Sequence, residues 1–288
     1  VLGEGARDER TALRYLDSYA QAFERIGAVC RAKSLPSGLR PSVSVKLSAL
    51  YPRYEVSQED RCVPVLIERL GLLAAKAASH DLSLTIDAEE AARLDLSIRI
   101  FEGVLKRSDL SDWTGFGLAV QAYQKRALPL VNYLVENGQA YGRRIQIRLV
   151  KGAYWDSEIK KAQIGGFPGY PVYTRKCNTD VSYLACAYTL LKNKERIFPM
   201  FATHNAHSVA AVLEMAKAEG ADPSGDFELQ KLFGMGDGLF DHLLERKLAR
   251  ASIYAPIGPH EDLLPYLVRR LLENGANSSF VKRVMDKS

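Results

Sequence analysis

Seven short apolar segments recur along the chain, and a reactive or strongly polar side chain lies at or just after the end of each one. They begin near residues 43, 82, 116, 145, 199, 226 and 252, and most consist of β-branched or aliphatic residues. Segments with apolar positions every three or four residues fill most of the gaps between them. Continuous apolar strands that alternate with helices are typical of a parallel sheet buried on both faces. The pattern therefore predicts repeated strand–helix units.

The predicted units can be placed along the numbering. Strands are predicted near 43–47, 82–86, 116–120, 145–150, 199–203, 226–230 and 252–255. Helices are predicted near 11–31, 59–79, 88–107, 123–141, 179–193, 206–219, 237–249 and 260–274. The segment NSSFV at 277–281 is a candidate eighth strand, and eight strands would close a barrel.

The length of 288 residues is within the range of one such barrel, and no linker or low-complexity tract divides it. We therefore expect residues 1–288 to form a single domain. Within it, residues 1–41 hold the N-terminal helix and a turn-rich connector, and residues 42–288 hold the barrel.

Composition narrows the class of function. The net charge is +5, and Lys and Arg are interspersed with Asp and Glu, so no basic patch predicts nucleic-acid binding. The four cysteines lack metal-ligand spacing, which argues against zinc and suggests reduced thiols in a cytoplasm. There is no apolar run of about 18 residues and no signal-peptide pattern. The chain begins without Met, so we expect a domain taken from a longer protein.

Two lysines at strand ends leave more than one chemistry open. Functional side chains gather at the carboxyl ends of barrel strands, and Lys46 and Lys151 both lie there. Such a lysine can bind an anion, pair with a carboxylate or form a Schiff base. A Schiff-base lyase of the aldolase type, using Lys151 or Lys46, is therefore an alternative, beside a lysine that only extends to solvent.

Asp87 and His204 each have a structural and a functional interpretation. Asp87 precedes a predicted helix, where an N-cap is the commonest role, but it could also pair with Lys46 of the neighbouring strand. His204 precedes a helix N-terminus, which could hold a phosphate, although a histidine satisfied by backbone hydrogen bonds fits the pattern equally well.

One predicted strand–helix connection is unusually long, from Gly152 to Asn178, and rich in glycine and aromatic residues. A long loop on the catalytic face is usually functional, but a structural excursion with a small aromatic core has equal weight.

The predicted last helix, HEDLLPYLVRRLLENG, carries polar residues on one face. Tyr266, Arg269, Arg270 and Glu273 share this face, which suits a carboxylate held by paired arginines. Periodicity alone favours a solvated face. The chain has no GxGxxG or GxxxxGK[ST] motif, so the residues by themselves indicate a barrel enzyme acting on a small, anionic molecule.

Several longer strings carry a specific resemblance. VSVKLSALYPRYE, LTIDAEEA, GLAVQAYQKRA, IRLVKGAYWDSEIKKAQ, FATHNAHSVA and IYAPIGPHEDLLPYLVRRLLENGANSSFV occur in order over nearly the whole chain. In these strings the chain resembles the proline dehydrogenase domain of bacterial bifunctional proline utilization A. The resemblance implies an α/β fold, a distorted (βα)8 TIM-type barrel with an extra N-terminal helix and a C-terminal helix over the barrel mouth. It also implies noncovalent FAD, oxidation of L-proline to pyrroline-5-carboxylate and a membrane quinone as electron acceptor.

The resemblance also assigns site residues, position by position. The substrate contacts fall on Lys46, Asp87, Tyr154, Leu232, Tyr254, Tyr266, Arg269, Arg270 and Glu273. The cofactor contacts fall on Asp87, Gln121, Arg148, Val150, Lys151, Gly152, Ala153, Trp155, Thr174, Lys176, Thr203, His204, Asn205, Gln230 and Ser279. No metal is implied. The arginine pair would hold the proline carboxylate, which reverses the interpretation from periodicity alone.

The same resemblance implies partners and a location. The longer family protein has an aldehyde dehydrogenase domain, so we expect this chain to perform the first half-reaction only. The implied location is the cytoplasm, with peripheral association at the inner face of the bacterial membrane as an additional expectation. Cys177 and Phe233 depart from common family residues near the cofactor. A noncatalytic ligand-binding barrel is the third alternative.

Overall fold

A computed structural model describes residues 3–36 and 39–257, together with residue 268. Its centre is one sheet of seven parallel strands, each paired with the next along the chain. The strands are β1 (Ser42–Val45), β2 (Ser83–Ile86), β3 (Phe116–Gln121), β4 (Ile145–Val150), β5 (Ile197–Ala202), β6 (Glu228–Leu232) and β7 (Ala251–Tyr254). They form a curled, half-closed barrel, so the predicted α/β barrel fold is confirmed.

The described helices follow the strands in alternation. They are α1 (Glu9–Ala32), α2 (Leu47–Leu50), α3 (Glu59–Ser79), α4 (Leu94–Leu105), α5 (Ala127–Ala140), α6 (Trp155–Ile164), α7 (Lys176–Lys192), α8 (Ala206–Ala218) and α9 (Asp237–Glu245). Short 3-10 turns lie at Val56–Gln58, Ala91–Arg93 and Ser108–Leu110. The predicted helix at 260–274 and the candidate eighth strand at 277–281 lie outside the described residues.

Alternation along β6 separates polar side chains of the barrel interior from the apolar shell. On β6, Leu229 is fully buried in the shell between strands and helices, whereas Glu228 and Gln230 on either side of it face the barrel interior. Arg148 of β4 faces the same interior. Buried polar groups need partners, so this interior row is where hydrogen-bond networks are expected.

Local capping explains where the first helix begins. The Asp8 carboxylate accepts a hydrogen bond from the backbone N–H of Thr11 at 2.7 Å, which satisfies one of the unpaired donors at the start of α1. Tyr19 and Phe23 lie on one face of α1, are fully buried, and pack in the same core as the first strand. The helix packs against α2 and α3.

The structure refines the bounds of two predicted segments. The helix predicted from residue 88 begins at Leu94, after the 3-10 turn, so Asp87 is not its N-cap. The backbone N–H of Ala91, at the start of this turn, donates to the Glu158 carboxylate of α6 at 2.7 Å. The long connection after β4 is not irregular throughout, because it contains the helix α6, and Lys176 already belongs to α7.

Candidate active site

A cavity of about 560 Å³ opens at the carboxyl ends of the strands. This volume is within the range typical of sites for small molecules and cofactors. Most of the predicted site residues that the structure describes line it, namely Lys46, Asp87, Gln121, Arg148, Val150, Lys151, Gly152, Ala153, Tyr154, Lys176, Thr203, His204, Asn205, Gln230, Leu232 and Tyr254.

Asp87 is the centre of a buried network that joins four strands. Its two carboxylate oxygens accept hydrogen bonds from Arg148 Nη1 at 2.9 Å and from the Tyr254 hydroxyl at 2.8 Å. Arg148 also donates through Nε to Gln230 Oε1 at 2.8 Å, and its guanidinium lies over the Tyr254 ring. Four side chains from β4, β6, β7 and the end of β2 therefore fix one another's positions.

The charge state of Asp87 follows from these neighbours. Burial by itself would raise the pKa of this carboxyl, but the cations Lys46 and Arg148 and the Tyr254 hydroxyl outweigh it and hold the pKa below its ordinary value. Asp87 is therefore ionised at neutral pH, where it orients and neutralises cations.

Lys46 lines the same cavity at the end of β1, the strand that pairs with β2. Its Nζ donates to the Tyr154 hydroxyl at 3.2 Å, and its side chain is buried. Burial alone would lower its pKa, but the Tyr154 oxygen and the carboxylates of Asp87 and Glu89 together raise the pKa above its ordinary value. A Schiff-base lysine must lose its proton easily, so this environment argues against the lyase alternative for Lys46.

The second strand-end lysine belongs to a different cluster. Lys151 donates to one oxygen of Asp180, and Lys176 donates to the other at 2.9 Å. Burial would raise the pKa of Asp180, but its hydrogen bonds from the two lysines lower it. The carboxylate holds both ammonium groups on one rim of the cavity, which suits a site for an anion and engages Lys151 in an ion pair.

Gly152 lets the chain turn sharply between β4 and α6. Its φ is +139°, a value that other residues rarely adopt, and a Cβ atom there would lie 2.5 Å from the ring of Tyr123. The following N–H, that of Ala153, donates to Gln121 Oε1 at 3.5 Å, and Gln121 Nε2 donates to the Glu89 carbonyl at 2.8 Å. The turn is therefore held close to the ends of β2 and β3.

His204 links two parts of the cavity wall. The Leu232 backbone N–H donates to His204 Nε2 at 2.9 Å. A backbone N–H can only donate, so Nε2 is an acceptor and the neutral ring carries its proton on Nδ1. Asn205 caps α8 by accepting the Ser208 N–H at 2.9 Å. The sequence allowed His204 either to bind a phosphate or to be hydrogen-bonded to the backbone. The structure gives its Nε2 atom a backbone partner.

Two predicted cofactor residues stand apart from the cavity lining. Trp155 is 41% exposed and donates through Nε1 to the Tyr173 carbonyl at 2.9 Å, while Thr174 lies next to that carbonyl in sequence. Five further predicted site residues lie outside the described residues: Tyr266, Arg269, Arg270, Glu273 and Ser279.

The structure adds residues that the sequence did not single out. Asp180 is one, and its position four residues after Lys176 on a helix was the available signal. Met235 also lines the cavity, and no sequence pattern predicted its position there. Within residues 3–36 and 39–257, no cluster of three or more His, Cys, Asp or Glu side chains could hold a metal ion. No helix in that part is long and apolar enough to cross a membrane.

Comparisons with known proteins agree with this architecture. The chain is 48% identical over 293 residues to the bifunctional protein PutA of Klebsiella aerogenes, covering 100% of this chain. A crystal structure of a Bradyrhizobium japonicum Proline Utilization A (PutA) mutant matches with a TM-score of 0.90 and 52% identity over 97% of this chain and 28% of the other. PutA from Bdellovibrio bacteriovorus inactivated by N-propargylglycine matches with a TM-score of 0.91 and 30% identity, over 96% of this chain and 30% of the other.

The chain spans only 22% of the length of the Klebsiella relative. The family model described as proline dehydrogenase nevertheless matches residues 1–283, almost the entire sequence. The cavity at the strand ends and the residues around it therefore lie within the matched region, and the chain belongs to the proline dehydrogenase family.

Proposed function

We propose that this chain oxidises L-proline to pyrroline-5-carboxylate, with noncovalently bound FAD as the immediate acceptor and a membrane quinone as the final one. This is the first step of proline catabolism. The observation that carries the proposal is the convergence of Asp87, Arg148 and Tyr254 at 2.8–2.9 Å beside a rim of paired lysines, in a chain of the proline dehydrogenase family.

The donor set of the cavity fits FAD. FAD has a flat ring with polar edges and an anionic pyrophosphate. The cavity is lined both by small or apolar side chains such as Ala119, Val150 and Met235 and by the cations Lys151 and Lys176. These lysines would hold the phosphates, and Arg148 would lie beside the flavin ring. When bound, the flavin supplies the hydride acceptor that the reaction requires.

The chain's residues would bind and orient the substrate. The arginine pair Arg269 and Arg270 is assigned to the proline carboxylate by the resemblance, and Lys46 adds a buried positive charge to the same cavity. Tyr154 and Tyr254 supply aromatic walls that exclude water from the reacting carbon. No covalent nucleophile is required, in agreement with the paired states of both strand-end lysines.

The proposal also covers the fate of the product and the domains of the longer protein. We infer that an aldehyde dehydrogenase domain lies elsewhere in the longer protein, because a relative matched over 22% of its length is named bifunctional. We further infer a single domain over residues 1–288 and a cytoplasmic location at the inner face of the bacterial membrane. The isolated chain would then release pyrroline-5-carboxylate, and formation of glutamate by the purified chain would contradict this division of labour.

A visible absorption spectrum tests the proposal directly. The purified chain should be yellow, and its flavin absorbance should bleach when L-proline is added under argon. Glycine at the same concentration is the control, since it lacks the ring carbon to be oxidised. A yellow protein that proline fails to bleach would favour a noncatalytic binding barrel. A colourless protein that borohydride traps with a carbonyl substrate would favour the Schiff-base lyase.

A further inference from the structure

Glu228 is a buried carboxylate inside the barrel that the proposed reaction does not use. It lies on β6, two residues before Gln230, and is only 6% exposed. It does not line the cavity at the strand ends. A carboxylate in such a place is costly unless its oxygens accept hydrogen bonds or face cations, so its retention calls for a physical account.

The partners of Glu228 connect it to the active-site cavity. Its Oε1 accepts hydrogen bonds from Gln230 Nε2 at 2.5 Å and from the Ser252 hydroxyl at 2.9 Å. Its Oε2 lies 3.6 Å from Arg250 Nε. Gln230 in turn accepts the hydrogen bond from Arg148 Nε. A continuous chain of hydrogen bonds therefore runs from the barrel interior to the guanidinium beside the cavity.

The two ends of this chain decide how the Gln230 amide is oriented. A guanidinium can only donate, so the group of Gln230 that faces Arg148 must be its oxygen. An ionised carboxylate can only accept, so the group that faces Glu228 must be the NH2. The two requirements agree, and the opposite orientation would oppose donor to donor and acceptor to acceptor. If residue 228 were neutral and able to donate, this orientation would be enforced from the Arg148 side alone.

We propose that Glu228 is a positioning residue for Arg148. Its charge fixes the Gln230 amide, which together with Asp87 holds the guanidinium at Nε and Nη1 and sets the direction of its remaining N–H groups. The consequence for catalysis rests on the proposed function, in which Arg148 lies beside the flavin ring. A positive group aimed at a ring that gains electrons favours reduction, so a misaligned guanidinium makes reduction harder.

The test uses Glu228→Gln, which keeps the shape, removes the negative charge and leaves an oxygen and an NH2 group that can exchange places. We expect FAD content and the KM for proline close to those of the unaltered protein. The kcat should fall roughly ten-fold, the loss that corresponds to one charge-assisted hydrogen bond, and the reduction potential of the bound flavin should become more negative. Thr85→Val is the matched control. Thr85 is a buried residue of β2, and its hydroxyl pairs with Ser42 and not with Glu228, Gln230 or Arg148.

A double-mutant comparison separates positioning from general damage to the fold. If Glu228 acts through Gln230, Glu228→Gln combined with Gln230→Leu should be no slower than Gln230→Leu alone. Multiplication of the two losses would overturn the proposal, as would an unchanged kcat and flavin potential in Glu228→Gln. If that variant does not fold, Glu228→Met, which fills a similar volume, takes its place with the same expectations.

One further measurement does not depend on the flavin. Solvent exchange of the Arg148 Nε–H, followed by NMR, should be roughly ten-fold faster in Glu228→Gln than in the unaltered protein, because its acceptor is no longer fixed. Unchanged exchange would overturn the positioning role. If exchange is roughly ten-fold faster in Glu228→Gln but proline fails to bleach the flavin of the unaltered protein, the error lies in the proposed function and not in the positioning role.

Discussion

Replacing Asp87 by Asn tests whether the buried network is electrostatic or only a matter of shape. The substitution keeps the size of the side chain but removes the negative charge that faces Arg148 at 2.9 Å and Lys46 in the same cavity. Asn also keeps only one acceptor oxygen, and its NH2 group can only donate, so it cannot accept from both Arg148 and the Tyr254 hydroxyl. Two buried cations are thus left without their shared counter-charge.

The size of the effect follows from burial. The side chains of Asp87 and Arg148 are 13% and 6% exposed, so solvent screens their attraction weakly. Removing one partner of a buried pair typically costs about 3–5 kcal/mol, and we expect at least about 3 kcal/mol here. For a chain of this length the entropy of unfolding is roughly 0.6 kcal/mol per degree, so the melting temperature should fall by about 5 °C.

Urea unfolding followed by circular dichroism is the assay, with Asp95→Asn as the control. Asp95 forms an ion pair with Arg126 in which both side chains are exposed, so its loss should cost less than about 1 kcal/mol. If Asp87→Asn unfolds within about 0.5 kcal/mol of the unaltered protein, the electrostatic account of the network is wrong.

The pH dependence of this difference gives an independent check. The pKa of Asp87 is lower in the folded than in the unfolded chain, so its contribution to stability is present above the unfolded value, about 3.9, and is lost as pH falls through the folded value. The difference between the unaltered protein and Asp87→Asn should therefore remain constant from pH 7 to about 5 and shrink only below about 4. A difference that disappeared already at pH 6 would contradict the depressed pKa.

Three further predictions concern the proposed site. Gly152→Ala should lower the free energy of unfolding by about 1–3 kcal/mol and reduce flavin retention, because φ is +139° and the added Cβ meets a tyrosine ring; retained flavin and stability would show that the turn adapts. Asp180→Asn should weaken flavin binding by roughly ten-fold in fluorescence titrations, because Lys151 loses its fixed partner, whereas Asp180→Glu should recover most of the affinity. Arg269→Met or Arg270→Met should weaken proline binding by several kcal/mol with flavin content preserved, and unchanged affinity in both variants would refute the carboxylate assignment.

The sequence was most informative where one physical requirement dominates. Alternate positions of the runs ending near Lys46 and Lys151 are apolar and lie in the core, so these runs predicted both the strands and the place where functional side chains gather. The side of the barrel that forms the site followed from strand direction alone. The individual side-chain contacts could not be predicted from the sequence, because they depend on which residues far apart in the chain come together.

Asp87 shows why the remainder could not be predicted from local pattern. An aspartate just before a helical segment resembles an N-cap, but the actual helix begins at Leu94 and the carboxylate is bound by Arg148 and Tyr254. Only long-range geometry decides between these roles. Asp180 was similarly hidden on an amphipathic helix, where an acid four residues after a lysine usually stabilises a solvated surface.

The hydrogen bond between Tyr254 and Asp87 joins residues 167 positions apart. During synthesis on the ribosome, the early strands emerge long before the last described one, and contacts of such sequence separation form late. The hydrogen bond from Tyr254 to Asp87 is therefore missing from a partly built sheet until the seventh strand arrives. A chain that ended before residue 251 would hold six of the seven described strands, but its buried network would lack the Tyr254 hydroxyl.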